Sequence, residues 1–151
     1  MSDFVIKKLE EEHLFDVAAI ERDTFAAPWS EKMLELCISN DGVGFVALDG
    51  DGRVAAYVTA LIAPYEIQIA NVATRVDMRG RGLAVRVIAA LTEFAKALGA
   101  EQISLEVRVS NAAAIGLYKK MGFFEAGVRK NFYTSPREDA FVMLLVLNEA
   151  K

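Results

Sequence analysis

The stretch Ile69–Ala84, IANVATRVDMRGRGLA, constrains this chain more than any other. Strand-forming Ile69, Asn71, Val72 and Ala73 lead into a turn over Arg75–Met78, and Arg79-Gly80-Arg81-Gly82-Leu83-Ala84 then opens a long helix of apolar periodicity. A fold built on it must set a strand end against a helix start. Two glycines there leave successive backbone N–H groups unshielded, and the helix dipole adds partial positive charge. Arg75, Arg79 and Arg81 add full charges around the same point. Such a site suits a phosphate or a pyrophosphate. It is not the dinucleotide fingerprint, whose third glycine and later acidic residue are misplaced here, and no G-K-[ST] follows to make a P-loop. A bare G-x-G also leaves open a glycine-relaxed turn with solvated arginines.

Read along the chain, Phe4-Val5-Ile6 is a short strand and Glu11–Thr24 a helix, with Leu14, Val17, Ala18 and Glu21 at helical spacing. Pro28 biases Ala27 away from helix, and Ser30 caps a second helix over Glu31–Ser39. Gly44–Leu48 and Arg53–Ala63 are strands joined by the hairpin signal Asp49-Gly50-Asp51-Gly52, and Tyr65–Thr74 is the next strand. Leu83–Leu98 is the main helix, with Leu83, Val87, Leu91, Phe94 and Leu98 in one stripe widened by Val85, Ile88 and Ala95, and Gly99 as its stop. Glu101–Val109 is a strand; a helix starting at Ser110 or Asn111 runs to Met121 and closes at Gly122. Phe123–Phe132 and Asp139–Leu147 are the last strands. The βαβ unit across 66–109 demands a parallel strand pair with a right-handed crossover, while the other connections are hairpin-like. The expectation is an α/β (α+β) fold: a mixed, mostly antiparallel sheet with helices on both faces.

Arg79-x-x-Gly82-x-Ala84 after a strand resembles the acyl-CoA motif, R/Q-x-x-G-x-G/A, of the GNAT N-acetyltransferases. The resemblance implies a central pair of splayed parallel strands and loop amides that hold the CoA pyrophosphate. On Gln102–Val109, alternation puts Ile103, Leu105, Val107 and Val109 on one face and Ser104, Glu106 and Arg108 on the other. Glu106 is then either a solvated strand glutamate or a group aimed at a ligand beyond the carboxyl ends of the parallel strands. Asn111, Ala114 and Tyr118 fall at i, i+3, i+7 on one helix face, where the small Ala114 would leave room for a ligand. Tyr118 can equally be an amphipathic core tyrosine. Acetyl transfer from a thioester to an amine needs a neutral amine, a polarised carbonyl and a proton for the leaving thiolate. Glu106 could accept the amine proton through water, Tyr118 could protonate the sulfur, and main-chain N–H groups of Val72, Ala73 and Thr74 could polarise the carbonyl. At pH 7, deprotonation costs about 1 kcal/mol for an α-amine and about 4.6 kcal/mol for lysine, which favours an N-terminal substrate.

Within that group the chain resembles the bacterial RimI family of ribosomal-protein-alanine N-acetyltransferases over nearly its full length. The specific stretches are Pro28-Trp29-Ser30-Glu31, Asn71-Val72-Ala73, Leu105-Glu106-Val107-Arg108, Ser110–Ile115, Leu117-Tyr118, Gly122-Phe123 and Arg137-Glu138-Asp139-Ala140. The resemblance implies Glu106 as base and Tyr118 as acid. It implies acetyl-CoA held by Arg79, Gly80, Arg81, Gly82, Leu83, Ala84 and Asn111, with main-chain bonds along Val72–Thr74. Two departures, Thr74-Arg75-Val76-Asp77 in the turn and Ala84 for the more frequent glycine, are variants that leave CoA binding intact. Asn131–Arg137, Trp29 and Tyr65 are weaker candidates for a peptide entrance.

Composition narrows the alternatives. A chain of 151 residues is expected to form one domain, residues 1–151, and one histidine with one cysteine cannot assemble a zinc-type site. His13 is expected at the surface. A lone Cys37 fits a reducing cytoplasm, and a net charge of −4 argues against nonspecific nucleic-acid binding. The most apolar helix carries Arg86, Glu93 and Lys96, so no membrane span is expected. The leading reading is an acetyl-CoA-dependent acetyltransferase acting on the N-terminal peptide of a protein, with a ribosomal protein first. A GNAT enzyme for a small-molecule amine and a non-catalytic acyl-CoA-binding module are the other readings.

Overall fold

A computed structural model describes residues 3–147. Its strands form one seven-stranded sheet in the order β1-β2-β3-β4-β5-β7-β6, with β1 at Val5–Lys8, β2 at Gly42–Leu48, β3 at Val54–Ala63, β4 at Glu66–Thr74, β5 at Gln102–Arg108, β6 at Phe124–Thr134 and β7 at Arg137–Val146. Only β4 and β5 are parallel, and their ladder is short: Glu66 pairs with Gln102, Ile67 with Ile103 and Gln68 with Ser104. Beyond Gln68 the two strands part, while β3 keeps pairing with β4 to Thr74 and β7 keeps pairing with β5 to Arg108. The splayed pair is therefore a break in the middle of an otherwise continuous sheet.

Each face carries helices because each carries its own apolar set. Helix α3, Leu83–Leu98, buries Leu83, Val87, Ile88, Leu91 and Ala95 against Val58, Ala60, Ile67, Ile69 and Ile103. Helix α4, Ala112–Lys120, joins the same layer through Ala114, Ile115 and Tyr118. On the other face, helix α1, Leu14–Thr24, and the short helix α2, Glu31–Leu34, cover Val46, Tyr57 and Ala73. Each fully buried aliphatic side chain contributes roughly 1.5–3 kcal/mol, so the two layers together hold the sheet against its own break.

Most boundaries follow the sequence signals. Gly99 ends α3 in the left-handed region at φ 89°, Ser30 Oγ accepts from Met33 N at 3.2 Å, and Asp49 Oδ1 closes the β2–β3 hairpin by accepting from Asp51 N and Arg53 N. Several expectations fail. Val85 and Leu98 lie on the exposed side of α3, because a 3.6-residue repeat carries them off the buried stripe. The helix expected over 31–39 is α for one turn only and continues as a 3-10 turn over Glu35–Ile38. The final hairpin is longer than expected, β6 and β7 meeting at a two-residue Ser135-Pro136 turn. His13 is buried: its Nδ1 accepts from Glu10 N at 3.0 Å, folding the ring back under the turn that opens α1.

The 3-10 turn of Glu35–Ile38 lies directly on Gly42 of β2. A Cβ at Gly42 would press into the Leu36 carbonyl and reach 2.8 Å from Cys37 Cα and 3.0 Å from the Ala60 carbonyl. Those neighbours are backbone and cannot rotate away. Gly42→Ala is expected to cost about 1–3 kcal/mol. Gly116, in the interior of α4, has open space at its Cβ; Gly116→Ala is expected to stabilise by about 0.4–1 kcal/mol. Thermal unfolding should move in opposite directions for the two.

Candidate active site

The break between β4 and β5 sets the site. Past Gln68 and Ser104, the β4 edge that turned toward β5 has no neighbouring strand. A bulge sharpens the effect: Thr59 pairs with Asn71 and Ala60 with Ile69, leaving Ala70 as the extra residue. The bulge resets the alternation. Ile67 and Ile69 face α3, but so does Val72, while Asn71 and Ala73 face α1. Val72, Ala73 and Thr74 thus lie on the stretch of β4 that has β3 on one side and no strand on the other.

At the carboxyl end of β4 the chain makes a 3-10 turn over Val76–Met78 and enters α3 through Gly80 and Gly82, at φ 79° and 74°. Both glycines have open space on the Cβ side, and Gly82 caps α3 without any side-chain bond. The first turn of α3 has no acidic residue. The first backbone N–H groups of α3, from Leu83 and Ala84 onward, therefore face outward at a positive helix terminus, which fits a diphosphate. The three arginines are not equivalent. Arg75 is committed to the scaffold, donating to Asp77 Oδ1 at 2.7 Å, the Val54 carbonyl at 3.1 Å and Asp49 Oδ2 at 3.2 Å. That corrects its reading as part of the anion site. Arg79 donates from Nε to the Thr74 carbonyl at 3.2 Å, which lays it along the strand end beside the glycines, and Arg81 is exposed.

Glu106 lies on the α1 side of β5, two residues past the last parallel pair, with Leu105 and Val107 buried on the opposite face. Its Oε2 is 3.3 Å from Arg129 Nε on β6. Tyr118 on α4 packs against Phe123, ring centroids 5.7 Å apart, and burial pushes its phenol up to about 12, with Tyr133 adding to the effect. Tyr133 is a residue the sequence reading placed in a connection. It belongs to β6, and burial, then the Glu106 charge, raises its phenol too. The guanidinium of Arg108 sits 4.2 Å over its ring and donates to the Ser135 and Pro136 carbonyls and to Glu138, fixing the far wall of the opening.

Two α4 residues are also engaged in the fold. Ala114 is half-buried and packs against the core layer. Asn111 is the N-cap, its Oδ1 accepting from Ala114 N at 3.2 Å, so only its Nδ2 end is left for a ligand. Tyr65 is 74% exposed in the β3–β4 turn, at the amino end of the parallel pair and away from the opening. Trp29 is half-buried under α1 and donates its main-chain N–H to Glu21. Among the described residues no group of His, Cys, Asp or Glu could hold a metal ion, and no helix is long and apolar enough to cross a membrane.

Residues 14–123 match the model of the acetyltransferase (GNAT) family. A [ribosomal protein bS18]-alanine N-acetyltransferase of Escherichia coli is 36% identical over 147 residues, covering 95% of this chain and 97% of that one. A putative enzyme of the same description from Bacillus subtilis is 34% identical over 145 residues, 95% of this chain and 96% of that one. The crystal structure of the Escherichia coli ribosomal-protein-S18-alanine N-acetyltransferase superposes with a TM-score of 0.89 at 34% identity, covering 99% and 97% of the two chains.

Replacing Asn111 separates its capping role from the rest of the site. Asn111→Ala is expected to cost about 0.5–2 kcal/mol, and Asn111→Asp, which keeps the acceptor, much less. Urea midpoints at unchanged m-value would check this.

Proposed function

The chain belongs to the acetyltransferase (GNAT) family, and on that premise we propose that it acetylates the N-terminal α-amine of a protein, with a bS18-type ribosomal protein beginning in alanine as the first candidate. The observation that carries this reading is the near-complete coverage of two bS18-alanine acetyltransferase relatives at 34% and 36% identity. The geometry supports it: the β4–β5 opening runs from one face of the sheet to the other, so a donor can enter from the α3 side and an acceptor from the α1 side. A ribosomal substrate puts the reaction in the cytoplasm, with residues 1–151 working as one catalytic domain.

Acetyl-CoA supplies the activated acetyl group. The amides of Leu83 and Ala84, the Gly80 and Gly82 turn and the side chains of Arg79 and Arg81 hold its diphosphate, and Asn111 Nδ2 offers a further donor. Main-chain N–H groups of Val72–Thr74 draw electron density from the thioester carbonyl. Glu106 takes a proton from the incoming ammonium through water. The free amine then forms the C–N bond, the C–S bond breaks as Tyr118 protonates the departing thiolate, and the extra proton on the new amide nitrogen leaves through water to return the Tyr118 phenolate to its acid form. A phenol raised to about 12 holds its proton at every physiological pH, as an acid in this role must. The reaction needs no covalent enzyme intermediate. Cys37 is unsuited to one, buried under α1 with burial pushing its thiol up to about 11.

An alanine-starting peptide should release CoA thiol, and the same peptide blocked at its α-amine should not. Glu106→Gln and Tyr118→Phe should each lower kcat by roughly 10²–10⁴-fold, with CoA affinity and melting temperature nearly unchanged. Full turnover in both variants would remove the two roles. Because the Tyr118 pKa is raised, its acid form persists on the alkaline side. The wild-type kcat should then hold to about pH 10, and a fall between pH 8 and 10 would count against Tyr118 as donor.

A further inference from the structure

One buried charged group has no part in the chemistry above. Glu21 on α1 is fully buried, on the apolar stripe that includes Leu14, Val17 and Ala18. Its carboxylate meets only donors. Oε1 accepts from Trp29 N at 2.9 Å, and Oε2 accepts from the Tyr57 hydroxyl at 2.6 Å. Asn71 Nδ2 bridges both oxygens at 3.0 and 2.9 Å. A carboxylate without a cation is costly to bury, and its hydrogen bonds offset only part of that cost. Burial accordingly raises the Glu21 pKa despite the three donor groups. A core position that needed only volume would be better served by leucine.

What Glu21 secures is the orientation of Asn71. An asparagine has a donor end and an acceptor end, and a carboxylate can only accept from it. The donor end is therefore held on Glu21, and Oδ1 is turned away from that carboxylate. Asn71 is only half-buried, directly follows the Ala70 bulge, and faces the α1 side of β4. Counting from the last parallel pair, Gln68 with Ser104, Glu106 is two residues on along β5, and Asn71 occupies the matching level of β4 once the bulge residue is passed. Two acceptors, a carboxylate and an amide oxygen, thus stand on opposite banks of the opening. The same Glu21 oxygen that holds Asn71 also ties down the loop at Trp29, which roofs this side.

We propose that Asn71 is a substrate-binding residue whose Oδ1 accepts a hydrogen bond from the N-terminal ammonium of the acceptor peptide, and that Glu21 is the positioning residue that keeps that oxygen facing the opening. The inference rests on the α-amine reading of the function. It explains why the anchor is an acid. A glutamine at position 21 would keep its oxygen on Trp29 N–H and set its amide nitrogen, a second donor, where Oε2 now lies 2.9 Å from Asn71 Nδ2, a donor–donor contact that drives the Asn71 amide to turn over. A donor would then face the ammonium in place of an acceptor.

The test uses the full chain, an alanine-starting peptide, and a desamino competitor in which a propionyl group replaces the alanine. In the wild type the amine peptide should bind at least tenfold more tightly than the competitor. In Asn71→Ala and Glu21→Gln the peptide KM should rise at least tenfold, the acetyl-CoA KM should stay within threefold, and the preference for the amine should collapse. Thermal unfolding identifies a variant that fails to fold, and Asn71→Ala, altered at a half-buried position, decides the matter if Glu21→Gln does. A raised KM with the amine preference intact would make the pair merely structural and overturn the inference, as would an unchanged KM. Absence of wild-type turnover on any alanine-starting peptide would overturn the function reading and the inference together.

Discussion

The β4–β5 ladder stops after three residue pairs, and the remaining architecture depends on that stop. Two strands in mid-sheet would ordinarily zip to their ends, since each backbone N–H and C=O left without a partner costs free energy. Here they are drawn apart by their outer neighbours. β5 stays paired to β7 along its whole length, and β4 stays paired to β3 through a bulge that bends it. The unmade bonds of the open edge become binding capacity, because a ligand lying in the gap can complete the ladder the strands leave unfinished.

Helices on the two faces keep the gap from collapsing, by different physics. On the α3 side the work is apolar: Leu83, Val87 and Ile88 fill the layer under the strand end, and α4 adds Ile115 and Tyr118. On the α1 side a buried carboxylate gathers donors from the loop at Trp29, from β3 and from β4. Apolar packing tolerates small slides; a carboxylate with directed bonds fixes orientation as well as distance. The more exacting support lies on the face where the acceptor amine enters under the proposed function.

Charge follows the same division. The chain carries a net charge of −4, yet the entry to α3 concentrates arginines and excludes acids from the first turn. Arg75 is neutralised by Asp49 and Asp77 to brace the turn, leaving Arg79 and Arg81 beside the glycines. Arg108 is spent likewise on Glu138 and the β6–β7 turn. Proximity in sequence to the anion site did not predict which guanidiniums stay available, since that depends on which carboxylates the fold brings within reach.

By itself the sequence determined what local rules govern: the extent of α3 from its apolar period and its Gly99 stop, the β2–β3 hairpin from Asp49–Gly52, the parallel pair from the βαβ spacing, and the face of Glu106 from alternation. Only the tertiary structure decided the bulge at Ala70, which turns Asn71 toward α1, the burial of His13, the commitment of Arg75, and the stacking of Arg108 on Tyr133. A bulge is a one-residue mismatch between two strands and leaves no mark on either alone. Glu21 stands between the two cases. Its place on an apolar stripe was visible, but its worth came from partners 8, 36 and 50 residues away, and hydrogen bonds over such separations exist only once the chain has folded.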